Sequence, residues 1–328
     1  MLLIAEEEKK SIVREIQLAN FDQAYINAVE KLIIDYEESS GTYLIPGDLK
    51  KVALKVDTRS GLGLSTPANL IRALIIFLEK RGFNRDAILI IDYSTFSLKT
   101  SHIGTKSKFN LNSFEGCPIH LLDSNEFYEP DWFYESPIPP LLRDQTLIDV
   151  LPKNSLSYYN GSSYRKSFLP VPLLFEVDFW INLAVCVDHP VLGVGGVLEN
   201  ASLANVSNHR RFYANEASGA AAIAEILGIP EMNKSLVLHF VSLEHYQFIG
   251  GPKFNAYYSR SQPILRMSCD PVALDCLNLN LINFHRRKNG FVEIANPNLQ
   301  LKYASGIGLG ISDLELIDIV IIKNNPKQ

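Results

Sequence analysis

Three apolar runs in this chain of 328 residues end in side chains able to move a proton or hold a charge. The first closes on Lys55-Val56-Asp57, the second on Asp92, and the third on Asp188-His189. Carboxylate next to imidazole suits general acid–base work, because histidine titrates near neutral pH. His189 is the candidate acid/base, with Asp188 or Asp275 to orient it. Asp275 lies in a helical stretch that is apolar on most sides, with Val272, Leu279 and Ile282 on one stripe and Ala273, Cys276, Leu277, Leu281 and Phe284 on another. A carboxylate buried there needs a cation or backbone donors, or else belongs to a site. Asp188 and Asp275 would also serve as oxygen ligands to a divalent metal. Lys55, Asp57, Asp92, Asn200 and Arg210 are the candidate ligand-binding residues, with Lys55 and Arg210 holding an anion.

Each of these has a plainer alternative. Loops after strands are polar in any case, and aspartate often caps the next helix, as Asp270 is expected to do before Pro271. His209-Arg210-Arg211 reads either as a solvated basic turn or as an anion grip, following Gly193, Gly195 and Gly196. That glycine group lacks the third glycine of a dinucleotide fingerprint. Gly250-Gly251-Pro252 reads as a tight turn or a loop closing over a ligand. Gly306, Gly308 and Gly310 precede the last apolar run. The G-x-S-x-G, G-x-x-x-x-G-K-[ST] and H-E-x-x-H patterns are absent from the sequence.

Elements must carry these residues to one place. Residues 6–38 read as two helices broken near Asn20, with Phe21, Tyr25, Ala28, Leu32 and Tyr36 at helical spacing. Lys51–Val56 reads as a strand. Thr66-Pro67 then opens a helix, with threonine as the cap, that stops near Gly82. Ala87–Ile91 is the next strand. This strand–helix–strand order favours a parallel pair. Ile119–Leu122, Phe179–Cys186, Ser235–Ser242, Pro263–Met267 and Leu314–Ile322 read as further strands. Asn215–Leu227 and the stretch from Asp270 to about Arg287 read as helices. The expectation is an α/β fold, two-lobed, with a mixed, mostly parallel sheet and flanking helices. Residues 1–147 would form an N-terminal α/β lobe with leading helices, and 148–328 a C-terminal α/β lobe. In open α/β sheets ligands sit beyond the carboxyl ends of the strands, so the strand-end residues would converge on the cleft between the lobes.

Composition narrows the class. Hydrophobic residues make up 47% and charged residues 20%, which suits a packed globule and excludes disordered and collagen-like chains. The net charge of −5 argues against nucleic acid or an anionic membrane as partner. No apolar stretch reaches membrane-spanning length. Cys117, Cys186, Cys269 and Cys276 have neither zinc nor iron–sulfur spacing and predict free thiols in a cytoplasmic protein.

The order of these segments resembles domain-of-unknown-function family 362, from about residue 50 to 322. The resemblance is carried by Val52–Asp57, Thr66-Pro67, Ile90-Ile91-Asp92, Asp178–Leu183, Asp188-His189, Glu199-Asn200, Gly250-Gly251-Pro252, Asp270–Asp275 and Ala304–Gly310. The family commonly has lysines where this chain has Ala184–His189, and Lys-Asn where it has Glu199-Asn200. Many relatives carry a ferredoxin-like cysteine cluster that this chain lacks, so no iron–sulfur cofactor is expected. The family has no settled activity to carry over; the polar residues at three strand ends, with Lys55 and Arg210 to hold an anion, imply a protein that binds or transforms a small anionic metabolite in the interlobe cleft. The loss of the lysines leaves open a non-catalytic binding or assembly role on a degenerate enzyme scaffold.

Overall fold

The structure is a computed structural model that describes residues 10–101, 103, 112–138 and 165–323. Its strands are β1 (Ser11–Gln17), β2 (Val52–Val56), β3 (Ile88–Asp92), β4 (Ser113–Phe114), β5 (Cys117–Leu121), β6 (Tyr128–Glu135), β7 (Lys166–Pro170), β8 (Phe179–Ala184), β9 (Val187–His189), β10 (Gly193–Gly195), β11 (Leu236–Ser242), β12 (Tyr246–Gln247), β13 (Ser259–Arg260), β14 (Ile264–Ser268) and β15 (Ile317–Ile322). Nine of them form one sheet in the order β15-β1-β14-β11-β8-β2-β3-β5-β4. Within it, β14 and β4 run against the other strands. The fold is therefore α/β with a mixed, mostly parallel sheet and flanking helices. The expected lobe boundary at 147/148 lies outside the described residues. Strands from either side of it meet in this one sheet, where β2 pairs with β8 in register from Val52 against Phe179.

Alternation along the strands divides the core in two. On one face Leu54, Val56, Ile90, Ile181 and Phe240 pack under the helices Ala24–Ser40 and Ala68–Lys80. On the other, Ala53, Ile91, Trp180 and Val241 pack under the helices Val197–Ala201, Glu216–Leu227 and Pro271–Lys288. Strands apolar on both faces are what a covered parallel sheet requires.

Two local expectations are corrected. The leading segment is a strand followed by a helix, not two helices: Ser11–Gln17 is β1, between β14 and β15. Ile12, Val13 and Ile16 are β-branched, and Val13 and Ile16 fill opposite faces of the sheet, so tertiary pairing overrides helical spacing. Thr66 does not cap the helix it precedes. Its hydroxyl accepts from the Asp57 amide at 2.8 Å and donates to the Leu183 carbonyl at 2.7 Å, tying the end of β2 to the end of β8. Asp270 and Asn215 do cap their helices, accepting from Ala273 N and Ser218 N. Among the described residues no helix is long and apolar enough to cross a membrane.

Candidate functional site

From β2 the chain builds outward through β3 to β5. β8 then returns to the other side of β2 and is followed outward by β11. Strand order thus reverses between β2 and β8, and the carboxyl ends of these two strands mark the crevice of an open α/β sheet. The loop after β2 supplies Asp57, Thr58 and Arg59. The Arg59 guanidinium forks onto Asp57, with Nε to Oδ1 at 3.0 Å and Nη2 to Oδ2 at 2.9 Å. Its third nitrogen, Nη1, reaches Glu199 Oε1 at 2.7 Å. Tyr213 donates to the same oxygen at 2.6 Å. Glu199 is thus a partner of both Arg59 and Tyr213. Burial pushes the Asp57 carboxyl up, but the Arg59 charge and hydrogen bonds outweigh it and hold the pKa below the usual carboxylate value. Burial would lower the guanidinium pKa; Asp57 and Glu199 reverse that and hold it well above normal.

Behind this ion cluster lies a buried polar row. Lys55, Asn182, His239 and Ser268 stand opposite one another across β2, β8, β11 and β14. All four are at most 1% exposed. Lys55 Nζ donates to Val56 O at 2.9 Å and to Asn200 Oδ1 at 3.0 Å. Asn200 Nδ2 continues to Asn182 Oδ1 at 2.7 Å, and Asn182 Nδ2 lies 3.1 Å from His239 Nδ1. Burial pulls the Lys55 pKa down to about 8, against the raising effect of Asp92 and Asp57. His239 is pushed down to about 3 by burial and stays neutral. A polar residue inside a continuous apolar strand, as in Phe179–Ala184 or Leu236–Ser242, was the signal that would have found Asn182 and His239. Arg59 had a weaker one, a cation two residues after a strand-end aspartate.

Asp92, at the end of β3, is fully buried. One oxygen accepts from the Thr58 hydroxyl, and among the described residues Oδ1 has no hydrogen-bond partner. Burial raises its pKa to about 6, against Lys55 and Thr58. Because this value lies above that of an unfolded aspartate, the folded protein holds the extra proton between pH 3.8 and 6. The Asp92 contribution to stability therefore grows as pH falls through 6 and is lost as pH rises. It amounts to about 1 kcal/mol between pH 7 and pH 5. Asp92→Asn, which imitates the protonated form, should cancel that increment. Urea unfolding of both proteins at pH 7 and pH 5 measures it, and an unchanged pH dependence in the variant refutes the assignment.

The three candidate acid–base residues are each engaged elsewhere. His189 Nδ1 accepts the amides of Val191 and Leu192 at 3.2 and 3.0 Å, so the ring proton sits on Nε2. Protonating Nδ1 would set its N–H against two backbone donors. Burial and the Arg59 charge lower the His189 pKa, with Glu199 opposing. Asp188 anchors the Gly250-Gly251-Pro252 turn, accepting from Gly251 N at 2.9 Å. A Cβ on Gly251 would lie 1.9 Å from the Asp188 carbonyl oxygen, which is why glycine is needed at this approach. Asp275 accepts from Val197 N at 2.9 Å, Leu198 N at 2.8 Å and Asn278 Nδ2 at 3.1 Å. It holds the start of the helix that presents Glu199 and Asn200. Among the described residues no three His, Cys, Asp or Glu side chains form a group that could hold a metal ion.

The basic run separates on folding. Arg211 is buried and donates to Ile138 O, Arg165 O and Ser167 Oγ, with its pKa lowered to about 10 by burial. His209 is buried, and its Nε2 lies 2.9 Å from the Tyr93 hydroxyl. Burial and the charges of Arg59 and Arg210 bring its pKa down to about 3. Arg210 is exposed and lines a cavity of about 410 Å³ with Tyr93, Ser94, Ser97, His209 and Lys253. This cavity opens over the carboxyl ends of β3 and β5, beside the Arg59 cluster: Lys253 Nζ donates to the Arg59 carbonyl at 2.9 Å. Of the eight candidate residues, Asp57, Lys55, Asp92 and Asn200 gather around the β2–β8 crevice, Arg210 reaches the cavity, and Asp188, His189 and Asp275 hold surrounding loops and helix.

No family model matches this chain, and no curated protein does. Among solved structures it is similar to a protein from Thermotoga maritima determined as a structural-genomics target, at 14% identity and a TM-score of 0.38, over 74% of this chain. The chain spans about half of that protein, 54% of its length.

Proposed function

We propose that this protein binds a small anionic metabolite in the cavity beyond β3 and β5. The observation that carries this reading is the pair of cations, Arg210 and Lys253, on the wall of a 410 Å³ cavity at the carboxyl edge of an open α/β sheet. Ser94, Ser97 and Tyr93 add hydroxyl groups to the same wall. Guanidinium and ammonium groups recognise carboxylate or phosphate by charge-assisted hydrogen bonds. Binding without acid–base turnover is the better-supported form of this reading. His189 Nδ1 and the Asp275 carboxylate are taken up by amide donors and Asp188 holds the Gly251 amide, so these residues support loops and helix rather than face the cavity.

The test is calorimetric titration with inorganic phosphate, a dicarboxylate, a sugar phosphate and a neutral sugar. The anions should bind and the neutral sugar should not. Arg210→Ala should weaken anion binding by about tenfold or more, the worth of one charged hydrogen bond. Arg210 is exposed, so its replacement should leave the unfolding midpoint unchanged. If no anion binds, or if Arg210→Ala with Lys253→Ala binds as the wild type does, the proposal fails.

A further inference from the structure

We infer that β15 is a self-pairing edge through which two copies of this chain join their sheets, antiparallel, about a two-fold axis. β15 ends the nine-stranded sheet and pairs with β1 on its inner side. Among the described residues no strand pairs with its outer side. A long exposed edge invites pairing unless lysine, proline, a bulge or shortness blunts it. The opposite edge follows that rule, since β4 has two residues. β15 does not. It reads Ile317-Asp318-Ile319-Val320-Ile321-Ile322, with Ile319 43%, Val320 38% and Ile321 61% exposed. The only charged side chain in the strand, Asp318, is paired with Lys10 at 3.2 Å.

The pattern of the segment selects a second copy as the occupant. A two-fold axis normal to the sheet keeps opposed residues on one face, so it must pass through a residue rather than between two. Centred on Ile319, it opposes Ile317 with Ile321, and Asp318, which Lys10 neutralises, with Val320 of the other copy. It also brings Glu315, in the turn that enters β15, towards Lys323 at both ends. Centred on Val320, it would set Lys323 against Ile317. The first register keeps the isoleucines opposite one another and closes both ends with opposite charges, the isologous arrangement expected of a dimer.

Sedimentation equilibrium on the full chain tests this. The wild type should show twice the 36.8 kDa chain mass at micromolar concentration. Glu315→Lys and Lys323→Glu should each raise the dimer dissociation constant roughly tenfold, because each places like charges at both ends. The double exchange should restore it. Ile321→Lys should leave monomers, with circular dichroism confirming that the exposed substitution keeps the fold. A monomeric wild type overturns the proposal, as does a dimer indifferent to all three substitutions. A dimer lost on removing residues 1–9 while the charge exchanges are silent would assign the edge to the N-terminal segment instead, and equally overturns it.

Discussion

Replacing Arg59 by leucine is expected to lower the unfolding free energy by about 3–5 kcal/mol, the cost of stranding buried charge. Arg59 serves two carboxylates, Asp57 and Glu199, whose side chains are 2% and 4% exposed. Its removal leaves them the charge of buried Lys55, and Lys55 is committed to Val56 O and Asn200. Arg59→Lys should recover little, because an ammonium lacks the fork that spans Asp57 while reaching Glu199. The pH dependence should also change sign at Asp57. In the wild type its depressed pKa means stability present above the unfolded value and lost as acid protonates the carboxylate. Without Arg59, burial dominates, the folded pKa rises above the unfolded one, and acid becomes stabilising. Urea unfolding of the wild type, Arg59→Leu and Arg59→Leu combined with Asp57→Asn and Glu199→Gln measures all of this. The triple variant should regain most of the loss. A single-variant loss below 1 kcal/mol would falsify the account.

Asp275→Ala is expected to cost a similar amount, about 3–5 kcal/mol, for a different reason. The carboxylate is fully buried and takes the amides of Val197 and Leu198 at the start of a short helix. Alanine leaves both amides and the Asn278 side chain without an acceptor in a site closed to water. Gly196 lets the chain pass this close, since a Cβ there would lie 2.1 Å from Asp275 Oδ1 in the wild type. Asp275→Asn keeps one acceptor and should lose about half as much. Hydrogen exchange at Val197 and Leu198 gives a local reading: both amides should exchange faster in the alanine variant. Because this helix carries Glu199 and Asn200, the variant should also loosen the Arg59 cluster, and a cycle with Glu199→Gln should be non-additive. Unchanged protection at both amides would show that Asp275 does not hold the helix.

The α/β architecture was legible because its strands are apolar and its helices are bounded by turn and cap signals. Asp270 and Asn215 cap as their side chains imply, since a cap needs only local reach. β1 was not legible: Ser11–Gln17 becomes a strand because β14 and β15 flank it, partners more than 240 residues away. The convergence of Lys55, Asp57 and Asp92 followed from strand ends alone, as strands sharing a direction deliver their ends to one edge. Side-chain direction did not follow. Asp188 and His189 are neighbours on β9 and face opposite ways, so one anchors a glycine turn while the other meets Tyr213 at 5.1 Å between ring centres. Arg210 and Arg211 diverge likewise, one onto the cavity and one into the core. Adjacency in sequence carries no information about which of two neighbours faces the ligand.

The polar row across β2, β8 and β11 also bears on how the sheet finds its alignment. The apolar residues of these strands are nearly interchangeable on either face, so hydrophobic pattern alone would tolerate a slip. Shifting β2 by one position would turn Lys55 toward the helices Ala24–Ser40 and Ala68–Lys80, away from Asn200 and into a face lined by leucine and isoleucine. Shifting β8 or β11 would strand Asn182 or His239 in the same way. Only one alignment lets lysine, two asparagines and histidine satisfy one another. The row thus works as a key cut into an otherwise greasy lock, penalising near-native sheets that burial alone could not reject.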